Sequence, residues 1–114
     1  IVRLDDVYGE LVIVGSRGTL DVYDRAGTRR WSVAVPPGIT ACDLDTADHV
    51  LGCTGTAGIT FVQLVRDGQP SVVRTDAPDA AALVAFDTKT NDAVVVHAAA
   101  DGIALVFERR TEAN

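Results

Sequence analysis

An all-β chain built from three successive copies of one antiparallel four-stranded sheet, the last copy short of a strand, is the fold class this sequence predicts. Three observations carry it. Apolar residues come in short blocks or alternate with polar ones, and glycine or proline stands at the breaks, which is the pattern of strands and turns. An apolar residue followed by Asp returns at Leu4-Asp5, Leu44-Asp45 and Phe86-Asp87, spaced 40 and 42 residues apart. Turn glycines return at Gly18, Gly58 and Gly102, spaced 40 and 44. A fixed period of about forty residues marks one supersecondary unit repeated.

The first copy, 1–38, holds strands at Ile1–Asp5, Leu11–Ser16, Thr19–Asp24 and Thr28–Val35. Pro36-Pro37-Gly38 ends it, since proline donates nothing to a ladder and glycine frees the turn. The second copy, 39–80, reads as Ile39–Asp45, Val50–Thr54, Ile59–Val65 and Pro70–Thr75, with a hairpin turn at Arg66-Asp67-Gly68. The third, 81–114, reads as Ala82–Asp87, Ala93–Ala98 and Ile103–Arg109, and its outer strand is missing. Asp79–Ala85 carries an alanine run after a candidate Asp cap, but the repeat register and the continuing Val84 and Phe86 favour strand over helix there.

The first two strands of each copy are apolar on both faces, the third alternates, and the fourth mixes charge with apolar residues. Inner strands covered on both sides, with an outer strand meeting water, are what a blade of a β-propeller requires. The segment Gly18-Thr19-Leu20-Asp21-Val22-Tyr23-Asp24 resembles a WD-repeat blade, with Tyr23-Asp24 in place of Trp-Asp and Phe107-Glu108 as a weaker counterpart. Ala26-Gly27-Thr28-Arg29-Arg30-Trp31 resembles the pyrroloquinoline-quinone-type (PQQ-type) repeat, which ends a strand in Trp after a Gly turn. Copy two departs from the pattern with Gln63-Leu64, and no copy has the Gly-His pair of WD-repeats. The resemblance implies a partial β-propeller. It implies no cofactor, because no quinone- or metal-contacting residue of the PQQ enzymes has a counterpart here.

The 114 residues suit one domain, and the net charge of −6 argues against nucleic acid or an anionic membrane as partner. No apolar run reaches the length of a membrane span. No basic stretch precedes an apolar one at the start, as a signal peptide would need, and the expected location is cytoplasmic. The chain opens at Ile1 without Met, as a processed or excised segment would. Nine Arg against the single Lys89, with abundant Ala, Val, Asp and Gly, read as a high-GC bacterial coding background.

A closed propeller needs four to eight blades, so three leave two apolar faces open. The sequence therefore points to a non-catalytic protein-interaction or scaffolding module that completes its ring. A homodimer is the leading arrangement, with a different propeller-completing chain or the remainder of a longer propeller as the others. The contact loops are expected at Ser16 and Arg17, Thr56 and Ala57, and Ala100 and Asp101, on the turns between the second and third strands. The alternative is a small-ligand sensor or PQQ-type enzyme using a central channel, to which the first strands contribute only Arg3, Asp5 and Asp43 as polar groups.

Other chemistry finds little support. Cys42 and Cys53 fall directly opposite one another in a hairpin centred between residues 47 and 48, which makes them a candidate redox pair. Two small buried thiols are the preferred reading. His97 occupies the register position of Ile13 and Cys53 and is expected in a core, whereas His49 is expected in a solvated turn. Neither has partners at zinc-ligand spacing. Asp43, Asp45 and Asp48 lack the glycine and distal Glu of a calcium loop, and Asp5, Asp45 and Asp87 are expected to cap turn amides instead. Ser16 lies outside a Gly-x-Ser-x-Gly elbow, and Gly15-Ser16-Arg17-Gly18 has no helix behind it to bind phosphate. No catalytic residue and no metal ligand is assigned.

Overall fold

The computed structural model describes residues 1–76, 81–86, 92–99 and 102–109. Its strands are β1 (Arg3–Val7), β2 (Glu10–Val14), β3 (Thr19–Tyr23), β4 (Arg29–Ala34), β5 (Ile39–Asp45), β6 (Val50–Gly55), β7 (Gly58–Gln63), β8 (Ser71–Asp76), β9 (Ala81–Phe86), β10 (Asp92–Ala99) and β11 (Gly102–Arg109). Each pairs antiparallel with its chain neighbour, giving three sheets in the orders β1-β2-β3-β4, β5-β6-β7-β8 and β9-β10-β11. Among the described residues there is no helix, hence none long and apolar enough to cross a membrane. The alanine run that competed as a helix lies in strand β9 from Ala81 onward.

The three sheets stack through two apolar layers. Val12, Val14, Leu20 and Val22 of the first sheet pack with Leu51, Cys53, Val62 and Leu64 of the second. Val50, Ile59 and Phe61, on the alternate positions of β6 and β7, pack with Val84 and Ala93 of the third. The period-2 alternation of a strand thus sends successive residues of the middle sheet into different layers. As a result β6 is buried at every position and β7 at all but its last.

The first sheet behaves differently. In β1 and β2 buried or half-buried residues alternate with more exposed ones, and β3 alternates likewise. The expectation that the first two strands of every copy are covered on both faces therefore holds for β6, fails for β1 and β2, and is met only in part by the edge strand β5, where Thr40 is exposed and Ala41, Cys42, Asp43 and Leu44 are half-buried. The reason is position in the stack: only the second sheet has a described neighbour on each side. The expected alternation of the third strand likewise holds in β3 and is lost in β7.

Turn lengths correct the repeat alignment. Val7 pairs with Glu10 across two residues, Asp45 with Val50 across four, and Phe86 with Ala93 across six. Asp5 pairs with Val12 and Asp43 with Gly52, so the structural equivalent of Asp5 is Asp43, 38 residues on, rather than Asp45. Each added pair of residues lengthens the turn without changing which face a side chain takes, because the strand period is 2. The shortest turn, Tyr8-Gly9, has positive φ at both residues, 57° and 77°, the conformation that matches strand twist in a two-residue hairpin.

Gly52 keeps the second layer closed. A Cβ there would sit 3.0 Å from Cζ of Phe86 and 3.3 Å from Cε1 of Phe61. The two rings meet with centroids 6.1 Å apart and planes tilted by 58°. Gly52→Ala is expected to lower the free energy of unfolding by about 1–3 kcal/mol, the usual cost of overfilling a packed layer, as read from the midpoint of urea unfolding.

Candidate interaction surfaces

The turn end that carries the predicted contact loops is organised by Gly38. Its amide donates to the carbonyl of Ser16 at 2.9 Å, and its carbonyl accepts from the amide of Thr56 at 3.3 Å. Gly38 has φ of 81°, and Thr56 Oγ1 occupies the space a Cβ would need, so only glycine fits. The β2–β3 turn with Ser16 and Arg17 and the β6–β7 turn with Thr56 and Ala57 thereby share one end of the stack. Ser16, Arg17 and Thr56 are exposed and Ala57 is half-buried. Ala100 and Asp101, predicted for the corresponding turn of the third copy, lie outside the described residues.

The edge strands β1, β5 and β9 are tied together by side chains. Arg3 grips Asp5 with two hydrogen bonds, Nε to Oδ2 at 2.6 Å and Nη2 to Oδ1 at 3.2 Å. Its Nη1 donates to the Cys42 carbonyl at 2.8 Å and stands 3.7 Å from Asp43 Oδ1. The other oxygen of Asp43 accepts the Phe86 amide at 2.9 Å. One chain of contacts runs from the first sheet through the second to the third. The hydrogen bond from Asp5 raises the Arg3 pKa above its ordinary value, burial lowers it in part, and the charges of Asp5 and Asp43 raise it further.

These are the three polar groups expected on the first strands; Arg3 and Asp5 bond each other, and the remaining contacts go to the Cys42 carbonyl and the Phe86 amide. Asp45, buried and further along β5, accepts from the amides of Ala47 at 3.0 Å and Asp48 at 3.3 Å, the turn-capping role expected of it. Asp5 pairs with Arg3 instead of capping its turn, because the two-residue Tyr8-Gly9 turn closes directly through Val7 and Glu10. Asp87 lies outside the described residues. Among the described residues, no three His, Cys, Asp or Glu side chains are grouped to hold a metal ion.

The opposite turn end is held by aromatic and ionic contacts. His49, expected to be solvated, stacks on Tyr8 with ring centroids 4.3 Å apart, and Arg66 lies over the same Tyr8 ring at 4.7 Å. His49 has a positive φ of 56° and is half-buried. Arg30 stands on Trp31 and pairs with Asp67 at 2.7 Å, while Gln69 Nε2 donates to the Ser32 carbonyl at 2.8 Å. Both contacts cross from the first sheet to the second. Asp24, in the Trp-Asp-like position, accepts from the amides of Ala26 and Thr28, each at 2.9 Å, and so shapes the β3–β4 turn. Sequence spacing carries no signal for the contacts between copies, because they join residues 37 to 58 positions apart.

Cys42 and Cys53 are disulfide-bonded, against the preference for two free thiols. They are register partners with Cα atoms 4.1 Å apart. Direct opposition of two thiols at that separation permits a bond, where core packing alone would have left them reduced. His97 takes the register position in β10 that Cys53 holds in β6: His97 pairs with Ala104 as Cys53 pairs with Thr60.

The remaining surface is the outer face of the first sheet. Leu4 is 54% exposed, and Leu11, Ile13 and Tyr23 are half-buried on the same face. Leu4 and Ile13 are register partners, and their equivalents in the second sheet are Cys42 and Cys53. The second sheet's face is covered by the first sheet; the first sheet's face has no cover among the described residues. Comparison with known protein families, with curated proteins and with solved structures gives no match for this chain.

Replacing Arg3 by Ala is expected to lower stability by about 1–2 kcal/mol in urea unfolding, the scale of half-exposed hydrogen bonds to a charged group. Arg3→Lys keeps the charge but not the two-pronged grip and should recover only part of the loss. The raised pKa works in one direction. Its contribution is complete at and below neutral pH and disappears only in strong alkali, as pH rises through the folded-state value. The Arg3→Ala deficit should therefore be flat between pH 6 and 9.

Proposed function

We propose that this chain is a non-catalytic protein-interaction module, a partial β-propeller whose ring is completed by a second copy. The observation that carries the proposal is the contrast between equivalent faces. The central strands β6 and β7 of the second sheet are buried on both sides, whereas the same face of the first sheet leaves Leu4 exposed and Leu11, Ile13 and Tyr23 half-buried. A sheet of this kind is the natural cover for another like it, since each is apolar on the face it presents. Head-to-tail pairing about a two-fold axis would place the first sheet of one copy on the third sheet of the other and give six blades.

The meander order within each sheet and the line of β1, β5 and β9 tied by Arg3 and Asp43 support the blade reading, with these strands innermost. The exposed turns at Ser16, Arg17 and Thr56 would then form one rim of the ring and present its protein-binding surface. The same tie weighs against the channel-ligand alternative, because Arg3 and Asp5 already bond each other, and Arg3 and Asp43 are further engaged by the Cys42 carbonyl and the Phe86 amide.

Light scattering after size exclusion should give twice the chain mass of 12.0 kDa. Leu4→Asp, at an exposed position, should give a monomer with an unchanged far-ultraviolet spectrum. A wild-type chain that stays monomeric would defeat the self-completing ring and leave a different completing chain or a longer propeller as the source of the missing blades.

A further inference from the structure

We propose that the Cys42–Cys53 disulfide is a reducible lock that a dithiol reductant opens to loosen the ties between sheets. The inference is independent of how, or whether, the ring is completed. It starts from β5, which holds both neighbours: its Cys42 carbonyl accepts from Arg3 of the first sheet, and its Asp43 carboxylate accepts from Phe86 of the third. The two acceptors are consecutive residues, and one of them is the bonded cysteine itself.

Beside the disulfide, the side-chain ties from β5 to its one sheet partner are the Leu44–Leu51 pair and a long hydrogen bond from Thr54 Oγ1 to the Ala41 carbonyl at 3.5 Å. Of the six register pairs between β5 and β6, Ile39–Gly55 and Asp43–Gly52 have glycine on one side, and the ladder shifts between Ile39 and Ala41. Glycine offers no cross-strand contact, and a strand facing glycines is weakly held in register. Neither glycine is replaceable in kind. Gly52 faces Phe86, and at Gly55 a Cβ would run into the backbone of Gly38 and Ile39. The disulfide supplies what these pairs cannot.

The bond is also placed for directional exchange. Cys53 is 2% exposed and packs in the layer between the first and second sheets, while Cys42 is half-buried at the edge strand. An incoming thiolate therefore attacks Sγ of Cys42 and Cys53 leaves as thiolate. The reductant's second thiol then attacks the mixed disulfide, closing its own disulfide and releasing Cys42. Two electrons and two protons pass from the dithiol to the protein, which ends with two thiols. Released from the cross-link to Cys53, residues 42 and 43 are held to β6 by the backbone ladder alone, and the Arg3 and Phe86 contacts weaken together.

The test uses the full chain and dithiothreitol, with mass spectrometry after alkylation and amide hydrogen exchange. Untreated protein, unfolded and alkylated, should take up no label, and protein reduced while native should take up two. The Phe86 amide, whose acceptor is Asp43, should then exchange roughly tenfold faster, while core amides of β6 and β7 keep their protection. A Cys42→Leu/Cys53→Ile variant installs the Leu4–Ile13 pair of the first sheet and should not respond to reductant at all. The proposal is overturned by labelling without reductant, by a bond that resists reduction until the protein unfolds, or by reduction that leaves Phe86 exchange unchanged. Loss of protection throughout the chain, or a reductant response in the variant, would overturn it as well.

Discussion

The structure depends on covering both faces of the middle sheet. Burying a side chain such as Leu51 or Phe61 removes enough apolar surface to contribute about 2–3 kcal/mol, and β6 and β7 send such side chains alternately to opposite faces. A single sheet so patterned has no stable existence alone, so the flanking sheets are a requirement of the middle one. The packing in turn sets the glycine at position 52, which lets Phe86 settle against the sheet, and makes the inner edge of the stack a place where three strands meet.

At that edge β5 carries the connections. Its residues 42 and 43 accept one hydrogen bond from each neighbouring sheet, and its far end at Asp45 shapes the turn back into β6. The number of residues between the paired ends after β1, β5 and β9 grows by two at each step, and an even insertion preserves the alternation of side chains. Variation in the loops is thus absorbed without disturbing the layers. The interaction role we propose follows from the same logic: a face with the pattern of a covered face, at the end of the stack, calls for a cover.

Much of this was legible in the linear pattern, and the failures have physical causes. Spacing alone put Cys42 opposite Cys53 and aligned Ile13, Cys53 and His97, because a hairpin's register follows from its turn. It misjudged Asp5, since copy two offers both Asp43 and Asp45 as counterparts and only the turn length chooses between them. It assigned His49 to solvent because its stacking partner, Tyr8, lies forty-one residues away in sequence. It gave Arg3, Asp5 and Asp43 as the few polar groups of the first strands, whereas their adjacency across two sheets shows only in the packing.

By itself the sequence determined the strands, their antiparallel order, the repeat and the pairing of the two cysteines across a hairpin. These are local consequences of side-chain period and turn chemistry, readable within about a dozen residues. The tertiary structure alone decided which faces are covered, which of two aspartates joins the edge network, and that Arg3 and Phe86 both end on β5. Those outcomes depend on which sheet packs against which, and burial between sheets is a property of the neighbour, not of the strand.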